Sequence, residues 1–239
     1  MPHKISSLSH PLVKHLIKLR QDAAYRRSCQ SCLVMGKHAV LELMVLHTPK
    51  LIFSPDPAHT QTTEEIFKKI TGLPSPEPFL AEFPLPTESS LETCSSVLVM
   101  DRIADPGNLG SLLRTALALN WEGIFFLPGC VDPFNDKVLR SSKAALFRLR
   151  YQHGSLEQLF LLSKNFCAYV ADLQGIPLHQ LSKPKKPLLV LSHEATGVDP
   201  QLNHFGTKVT IPITKMESLN VAGAGAILMY EMGTWKTMN

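Results

Sequence analysis

Short apolar runs alternate with longer amphipathic segments along the chain after residue 95. The runs are three or four residues long and mostly apolar, which is typical of strands buried in a sheet. The segment Leu109–Leu119 instead repeats apolar residues at i, i+3, i+4, i+7 and i+8, the spacing of one buried helix face. The predicted strands are Val97–Met100, Ile124–Leu127, Ala168–Ala171, Leu188–Leu191 and Val209–Ile211, and further helices are predicted at Asp136–Leu149, Leu156–Lys164 and Ser218–Met232.

This alternation of strands and helices predicts an α/β fold with a mostly parallel sheet. In such sheets, ligands bind beyond the carboxyl ends of the strands, in the loops that enter the helices. We therefore expect the functional residues in the loops that follow the predicted strands.

The segment before this region is rich in proline. Residues 74–88 contain five prolines, and proline lacks a backbone donor and restrains the residue before it. We therefore expect neither a central strand nor a helix interior here, but a linker. The resulting division is a small domain at residues 1–73, a linker at 74–94 and a larger domain at 95–239.

Composition and charge narrow the function classes. The apolar fraction of 44% suffices for a packed core. Residues 1–40 hold seven basic residues and one acid, a local charge of +6 that suits either an RNA- or DNA-facing surface or an ordinary solvated helix face. Five scattered cysteines argue against a disulfide scaffold and for a reducing compartment, and no uncharged stretch reaches the ~20 residues of a membrane span. We expect a cytoplasmic protein.

The first candidate loop, residues 101–115, connects a predicted strand to a predicted helix. Asn108 is the predicted N-cap of that helix, and the free backbone amides of a helix start suit an anion. Arg114 lies four residues after Gly110, so both share one helix face. Such an arginine either binds a ligand or is an exposed residue in solvent, and the pattern leaves both open.

The second candidate loop, residues 188–199, contains Glu194 at a predicted strand end. This carboxylate either accepts hydrogen bonds from an arginine or a ligand, or lies in water. A zinc-binding His-Glu-x-x-His helix is excluded because position 197 is Gly197. Cys29 and Cys32 form a lone pair, which is too few ligands for a structural zinc, so we expect no metal.

The third candidate loop lies within residues 209–230, where a predicted strand ends at Ile211–Pro212 and a helix begins at Ser218 or Asn220. Gly223 and Gly225 permit a close approach of backbone or ligand. The alternatives are a tightly packed terminal helix or a dimer face. As a dinucleotide-binding fingerprint this segment is poor, because the required acid about 20 residues later is missing.

Taken in this order, the three loops closely resemble the three signature motifs of the SpoU/TrmH family of RNA ribose 2′-O-methyltransferases, in the SPOUT superfamily. The resemblance covers roughly residues 95–235, and the first 75 residues are more loosely similar to the family's small substrate-binding domain. The matching positions are Asn108, Gly110, Arg114, Thr115, Ala116, Glu194, Gly197, Ile211, Pro212, Glu217, Ser218, Leu219, Asn220 and Val221.

The resemblance implies a SPOUT-type trefoil-knotted methyltransferase domain with a small N-terminal α/β domain, a homodimer formed through the C-terminal domain, and S-adenosylmethionine as cofactor. It implies catalytic roles for Asn108, Arg114, Glu194, Ser218 and Asn220. The implied cofactor contacts are Leu191, Ser192, His193, Glu194, Gly197, Ile211, Pro212, Ile213, Leu219 and Asn220.

One departure from the family pattern concerns the second motif. The family usually has Gly-Asn-Glu-Gly, whereas this chain has Ser192-His193-Glu194-Ala195. We expect the added side chains to crowd the implied cofactor site and to weaken cofactor binding.

The implied activity is methyl transfer from S-adenosylmethionine to a ribose 2′-hydroxyl in RNA, with rRNA favoured over tRNA. We hypothesise that Arg114 orients the hydroxyl and shares its proton with an RNA phosphate. The candidate RNA-binding residues come from two basic segments: Lys14, Lys18, Arg20, Arg26, Arg27, Lys137, Arg140 and Lys143.

Three alternatives stay open. A catalytically weak SPOUT-fold protein could bind RNA and act in ribosome assembly, which the unusual Ser192 and His193 motivate. A knotted enzyme could methylate a base, although Asn108 with Arg114 favours the ribose class. A nucleotide-dependent oxidoreductase is the most distant alternative.

Overall fold

The structure is a computed structural model that describes residues 4–193 and 196–233. Before residue 87 these residues form β1 (Lys4–Ile5), α1 (Pro11–Gln21), α2 (Ala23–Cys29), β2 (Ser31–Met35), α3 (Lys37–Met44), β3 (Leu51–Phe53), β4 (Gln61–Thr62), α4 (Glu64–Thr71) and β5 (Leu80–Pro84). After it they form β6 (Val97–Asp101), α5 (Pro106–Ala118), β7 (Gly123–Phe126), α6 (Asp136–Ser142), β8 (Arg150–His153), α7 (Leu156–Ser163), β9 (Cys167–Pro177), β10 (Pro187–Ser192), β11 (Thr207–Thr210) and α8 (Val221–Met232). Short 3-10 helices lie at Ala145–Arg148, Leu178–Gln180 and Pro200–Leu202.

These elements divide into two compact units. The first unit comprises the chain up to Pro86 together with Asp132–Phe147, and the second comprises Thr87–Val131 together with the chain from Arg148 onward. No helix among the described residues is both long and apolar enough to cross a bilayer.

The second unit contains a six-stranded parallel sheet in the order β11-β9-β10-β6-β7-β8. The predicted α/β fold with a parallel sheet is therefore confirmed. Each of the five predicted strands is present, with β9 extending beyond its predicted end to Pro177. Edge strand β8 escaped prediction because its sequence, RYQH, carries only one buried residue, Tyr151.

Helix α5 begins earlier than expected. Pro106 occupies its first turn, and the Asp105 side chain accepts a hydrogen bond from the Asn108 amide at 2.8 Å. Proline fits the first helical position because its missing amide has no intrahelical partner there. The prediction of Asn108 as N-cap is wrong, since Asp105 is the cap and Asn108 lies in the first turn.

The predicted helix Asp136–Leu149 is wrong beyond Ser142. Lys143 and Ala144 both have left-handed backbones, with φ of 51° and 56°. Their amides donate to Arg140 and Leu139 carbonyls at 3.2 and 2.8 Å, which satisfies the last acceptors of α6. The backbone then continues as a 3-10 helix rather than as α6.

The first unit contains a three-stranded antiparallel sheet in the order β2-β5-β3 and a short parallel pair of β1 with β4. Its central strand, β5, lies inside the segment expected to be a linker, so the exclusion of a central strand there is wrong. The prolines flank this strand rather than interrupt it: three precede Leu80, and Pro84 is its last residue. Leu80, Ala81 and Phe83 are fully buried, as the middle of a sheet requires.

Helices α1 and α4 cover the core of the first unit. Val13, Leu16 and Leu19 of α1 are fully buried and belong to one apolar cluster with Ile66 and Ile70 of α4. The later segment Asp132–Phe147 belongs to this unit, because α6 packs against β2.

Candidate functional site

A cavity of about 430 Å³ lies in the second unit, at the carboxyl ends of β10 and β11. This volume is within the range of small-molecule sites. The wall includes Ala171–Gln174 of β9, where that strand extends past its pairing with β10. Seven of the predicted cofactor-binding residues line the cavity: Leu191, Ser192, His193, Gly197, Ile211, Ile213 and Leu219.

Three other predicted cofactor contacts are placed differently. Pro212 lies between two lining residues and is exposed, and Asn220 follows the lining residue Leu219. Glu194 lies outside the described residues. The structure therefore brings most of the predicted set together from β10, β11 and the segment before α8.

Ser192 places a polar atom at the wall of the cavity. It is the last residue of β10, pairs with Asp101 in the parallel ladder and is 8% exposed. Its Oγ atom is buried and has no hydrogen-bond partner among the residues that the structure describes. Buried hydroxyls are nearly always hydrogen-bonded, so this oxygen is suited to meet a ligand in the cavity.

Sequence reasoning missed the contribution of β9. Asp172 and Gln174 line the cavity beyond the predicted end of that strand at Ala171. The Asp172 carboxylate accepts a bond from Lys208 Nζ at 2.8 Å, and this bond holds the pKa of Asp172 below its usual range. No local signal could have found it, because the segment after Ala171 has no strand-like pattern.

Two candidate catalytic residues meet where α5 and α8 begin. Asn220 is the N-cap of α8, and its Oδ1 atom accepts from the Ala222 amide at 2.9 Å. Its Nδ2 atom donates to Asn108 Oδ1 at 3.0 Å. Residues 112 positions apart in the chain are thereby joined at two adjacent helix starts.

Gly225 permits this close approach of the two helices. A Cβ atom there would lie 2.5 Å from Leu112 of α5 and 2.6 Å from Leu191 of β10. Ser218 lines the cavity, and Arg114 is exposed on α5. Of the predicted catalytic residues, Ser218 lines the cavity and Asn220 follows the lining residue Leu219, whereas Asn108 and Arg114 of α5 do not line it.

The predicted RNA-binding residues all belong to the first unit, although they come from two distant segments. Lys14, Lys18, Arg27, Lys137 and Lys143 are exposed. Arg20 is half-buried against Gly72, and Arg140 is half-buried with Nη1 at 2.6 Å from Asp136 Oδ2. Neither of these two presents its whole guanidinium to solvent.

The prediction of Arg26 as a phosphate contact is wrong. Its side chain is 3% exposed, and Nη2 lies 2.6 Å from Asp132 Oδ2. Nη1 donates to the carbonyls of Leu19 and Arg20 at 2.7 and 2.9 Å. These bonds satisfy the buried guanidinium, so Arg26 stabilises the fold of the first unit and is not available to RNA.

Within residues 4–193 and 196–233, no group of three or more His, Cys, Asp and Glu side chains is arranged to hold a metal ion.

Comparison with known proteins identifies the class of protein. The model of the SpoU rRNA Methylase family matches residues 95–230. The chain belongs to this family, and the fold and the cavity described above fit that membership.

Individual relatives extend the similarity over almost the whole chain. A Bacillus subtilis (strain 168) protein described as the 23S rRNA (guanosine(2553)-2'-O)-methyltransferase RlmP is 30% identical over 96% of this chain and 98% of its own. A solved structure of a putative RNA methyltransferase of the TrmH family from Porphyromonas gingivalis is 28% identical, with a TM-score of 0.81 over 95% of this chain and 98% of its own. The AdoMet-bound rRNA methyltransferase from Sinorhizobium meliloti, at 23% identity and 96% coverage of both chains, shares the fold with a TM-score of 0.87.

Proposed function

We propose that this protein transfers a methyl group from S-adenosylmethionine to a ribose 2′-hydroxyl of RNA, with rRNA as the favoured substrate. The observation that carries the proposal is the cavity beside the Asn108–Asn220 pair, in a chain that belongs to the SpoU rRNA methylase family. The 23S rRNA activity named for the Bacillus subtilis relative supports rRNA as the substrate class.

The cavity fits the proposed cofactor in size and chemistry. Leu191, Ile211 and Leu219 offer apolar contacts, while the buried hydroxyl of Ser192 offers a hydrogen bond that no described residue takes. When bound, S-adenosylmethionine supplies a methyl group that its sulfonium makes electrophilic. The side chains of Ser192 and His193, which replace the usual family residues, leave a cavity of about 430 Å³.

The protein's own task is to place the ribose hydroxyl and to help remove its proton. An arginine side chain stays protonated in proteins, so it is a poor base by itself. Arg114 therefore orients the hydroxyl, and the proton of the hydroxyl passes to an adjacent RNA phosphate and then to water as the methyl group bonds to the oxygen. Asn108, Asn220 and Ser218 position the ribose and Arg114, and Glu194 is proposed to do the same.

The first unit supplies the RNA surface in this proposal. Its exposed cations, Lys14, Lys18, Arg27, Lys137 and Lys143, attract phosphates without regard to sequence. We therefore add α6 to the proposed substrate-binding domain at residues 1–73, because α6 belongs to the same compact unit.

We further propose a cytoplasmic homodimer formed through the C-terminal part of the chain, with that part threaded as a trefoil knot. Exposed apolar side chains on β9 and α8 support a dimer surface: Leu173 is 65% exposed, Ile176 46% and Ile227 41%. Ile227→Asp is expected to halve the mass measured by light scattering. An unchanged mass would place the dimer surface elsewhere.

The function is tested with S-adenosylmethionine labelled on its methyl group and RNA from cells that lack this protein. After digestion to nucleosides, the label is expected in a 2′-O-methylated nucleoside of the rRNA fraction. Label on a base would contradict the ribose assignment. Absence of both label and cofactor binding would favour the RNA-binding alternative.

The role of Arg114 is tested in the same assay. Arg114→Ala is expected to lower methyl transfer by about a hundredfold or more while cofactor affinity is retained. The matched control is Lys164→Ala, which removes an exposed cation from the same unit. Unchanged turnover of the Arg114→Ala variant would contradict the catalytic role of Arg114.

A further inference from the structure

Arg102 directly follows β6 and has an unusual backbone. Its φ is +55°, in the left-handed region that few residues other than glycine adopt. The stem of its side chain passes over Gly129, where a Cβ atom would lie 2.9 Å from Arg102 Cγ. Such strained positions are retained where the surrounding structure requires them, often at functional sites.

The Arg102 guanidinium forms a two-pronged ion pair with its neighbour Asp101. Arg102 Nε lies 2.8 Å from Asp101 Oδ1, and Nη2 lies 2.9 Å from Oδ2. The Asp101 side chain is 2% exposed, so its charge needs this partner. The same hydrogen bonds raise the pKa of Arg102 above its ordinary value.

The same pair holds the loop that follows β10. Arg102 Nη2 donates to the Gly197 carbonyl at 2.8 Å, and Nη1 donates to Thr196 Oγ1 at 3.3 Å. Asp101 Oδ2 accepts from the Asp199 amide at 3.3 Å. Three residues of one loop are therefore attached to the end of the neighbouring strand.

This loop forms part of the wall of the cavity. Gly197 lines the cavity with φ of +64°, and its amide donates to the His193 carbonyl at 2.9 Å. Arg102 does not line the cavity, so any influence on a ligand there acts through Gly197 and its neighbours.

We propose that Arg102, with Asp101, is a positioning pair that holds residues 196–199 in the cofactor-binding arrangement. This inference rests on the proposed function, since it concerns the same cavity. When a loop adopts its binding-competent arrangement only part of the time, the dissociation constant rises in inverse proportion to that fraction. Loss of the guanidinium frees the Gly197 carbonyl and leaves the Asp101 charge without its partner.

The test is calorimetric titration of the full chain with S-adenosylhomocysteine, the demethylated form of the cofactor. Arg102→Gly removes the side chain and suits the left-handed backbone, and it is expected to raise the dissociation constant about tenfold or more. Arg102→Lys keeps the charge but has no fork to reach Asp101 and Gly197 together, so its affinity is expected to fall as well. Lys164→Ala, the matched loss of an exposed cation in the second unit, is expected to bind as the wild type does.

Further measurements separate positioning from general damage. Hydrogen exchange of the peptide that contains residues 196–199 is expected to speed up in both Arg102 variants, and the KM for the cofactor to rise while the KM for RNA is unchanged. A variant that merely unfolds part of the population would leave both KM values unchanged. If Arg102→Gly fails to fold, Arg102→Lys carries the test.

The outcomes distinguish the two proposals. Wild-type affinity in a folded Arg102 variant would overturn the positioning role and leave the proposed function intact. Absence of binding by the wild-type protein would overturn both.

Discussion

At the scale of single residues, the hydroxyl of Ser192 is buried without a hydrogen-bond partner in the described part of the chain. Leaving a buried hydroxyl without a partner costs about 1–3 kcal/mol. Ser192 Oγ has none among the described residues, and it lies where the cavity meets β10. A ligand that bonds this hydroxyl offsets that cost.

Ser192→Ala is therefore expected to have opposite effects on stability and on binding. Without cofactor, the variant is expected to unfold at a higher temperature, because the unpaired hydroxyl is gone. Its dissociation constant for S-adenosylhomocysteine is expected to rise by roughly threefold to tenfold, the loss of about one hydrogen bond. Differential scanning fluorimetry and calorimetry measure the two effects, with Ser163→Ala on α7 as control, and unchanged affinity would place the hydroxyl outside the contact.

The cysteines give a second prediction, concerning pH. Burial raises the pKa of Cys130 to about 11, whereas Cys167 is exposed. At pH 8 only about one Cys130 thiol in a thousand is thiolate, and thiolate is the reactive form. Iodoacetamide is expected to label Cys167 first and Cys130 only as the pH approaches 11, as measured by mass spectrometry of the digested protein.

The same shift has a consequence for stability. The folded pKa of Cys130 lies above the ordinary thiol value of 9.0, so between these values the folded state retains a proton that the unfolded state loses. The free energy of unfolding therefore falls as the pH rises above about 9. Equal labelling of Cys130 and Cys167 at pH 8 would contradict this assignment.

At the scale of elements, the pattern of apolar residues does not predict where a helix ends or which segment forms a central strand. Strand β5 and helix α6 illustrate this best. The prolines around β5 predicted a linker, yet they lie outside its buried residues. The apolar pattern predicted a long α6, yet left-handed Lys143 and Ala144 end it.

Besides the packing of α6 against β2, the ion pair of Arg26 with Asp132 ties the segment Asp132–Phe147 to α2. Arg26→Met leaves the Asp132 carboxylate without its guanidinium, and breaking such a pair costs about 3–5 kcal/mol. We expect urea denaturation to show this loss in the free energy of unfolding. Arg27→Met, its exposed neighbour on α2, is expected to change that free energy by less than about 0.5 kcal/mol.

A double variant sharpens the test. Replacing both Arg26 and Asp132 with apolar residues is expected to restore much of the stability, because no unpaired charge remains. Equal losses in Arg26→Met and Arg27→Met would contradict the structural role of Arg26.

At the scale of the whole molecule, folding collects two distant basic segments into one unit. Each lysine or arginine that neutralises a phosphate adds about 0.7–0.9 to the slope of log affinity against log salt. The double variant Lys137→Gln with Lys143→Gln is expected to lower that slope by about 1.4–1.8 and to weaken binding to all RNA sequences alike. Filter binding over a salt series measures this, with Lys164→Gln as control, and a flat response of the wild type would contradict the RNA surface.

The chain's own sequence determined the parallel α/β fold of the second unit and part of the cavity wall. Apolar runs predict strands wherever burial is nearly complete, and polar residues directly after them predict the ligand edge of a parallel sheet. The family motifs lie in those same loops, which is why Ser192, Gly197, Ile211 and Leu219 were found from the sequence.

Only the tertiary structure decided which distant residues meet. It buried Arg26 against Asp132, joined Asn108 to Asn220, brought Asp172 into the cavity and set Arg102 against Gly197. None of these contacts leaves a local pattern, because each depends on the packing of segments far apart in the chain. Local periodicity reports which face of an element is buried, whereas the identity of its partner is fixed by the three-dimensional arrangement of the whole unit.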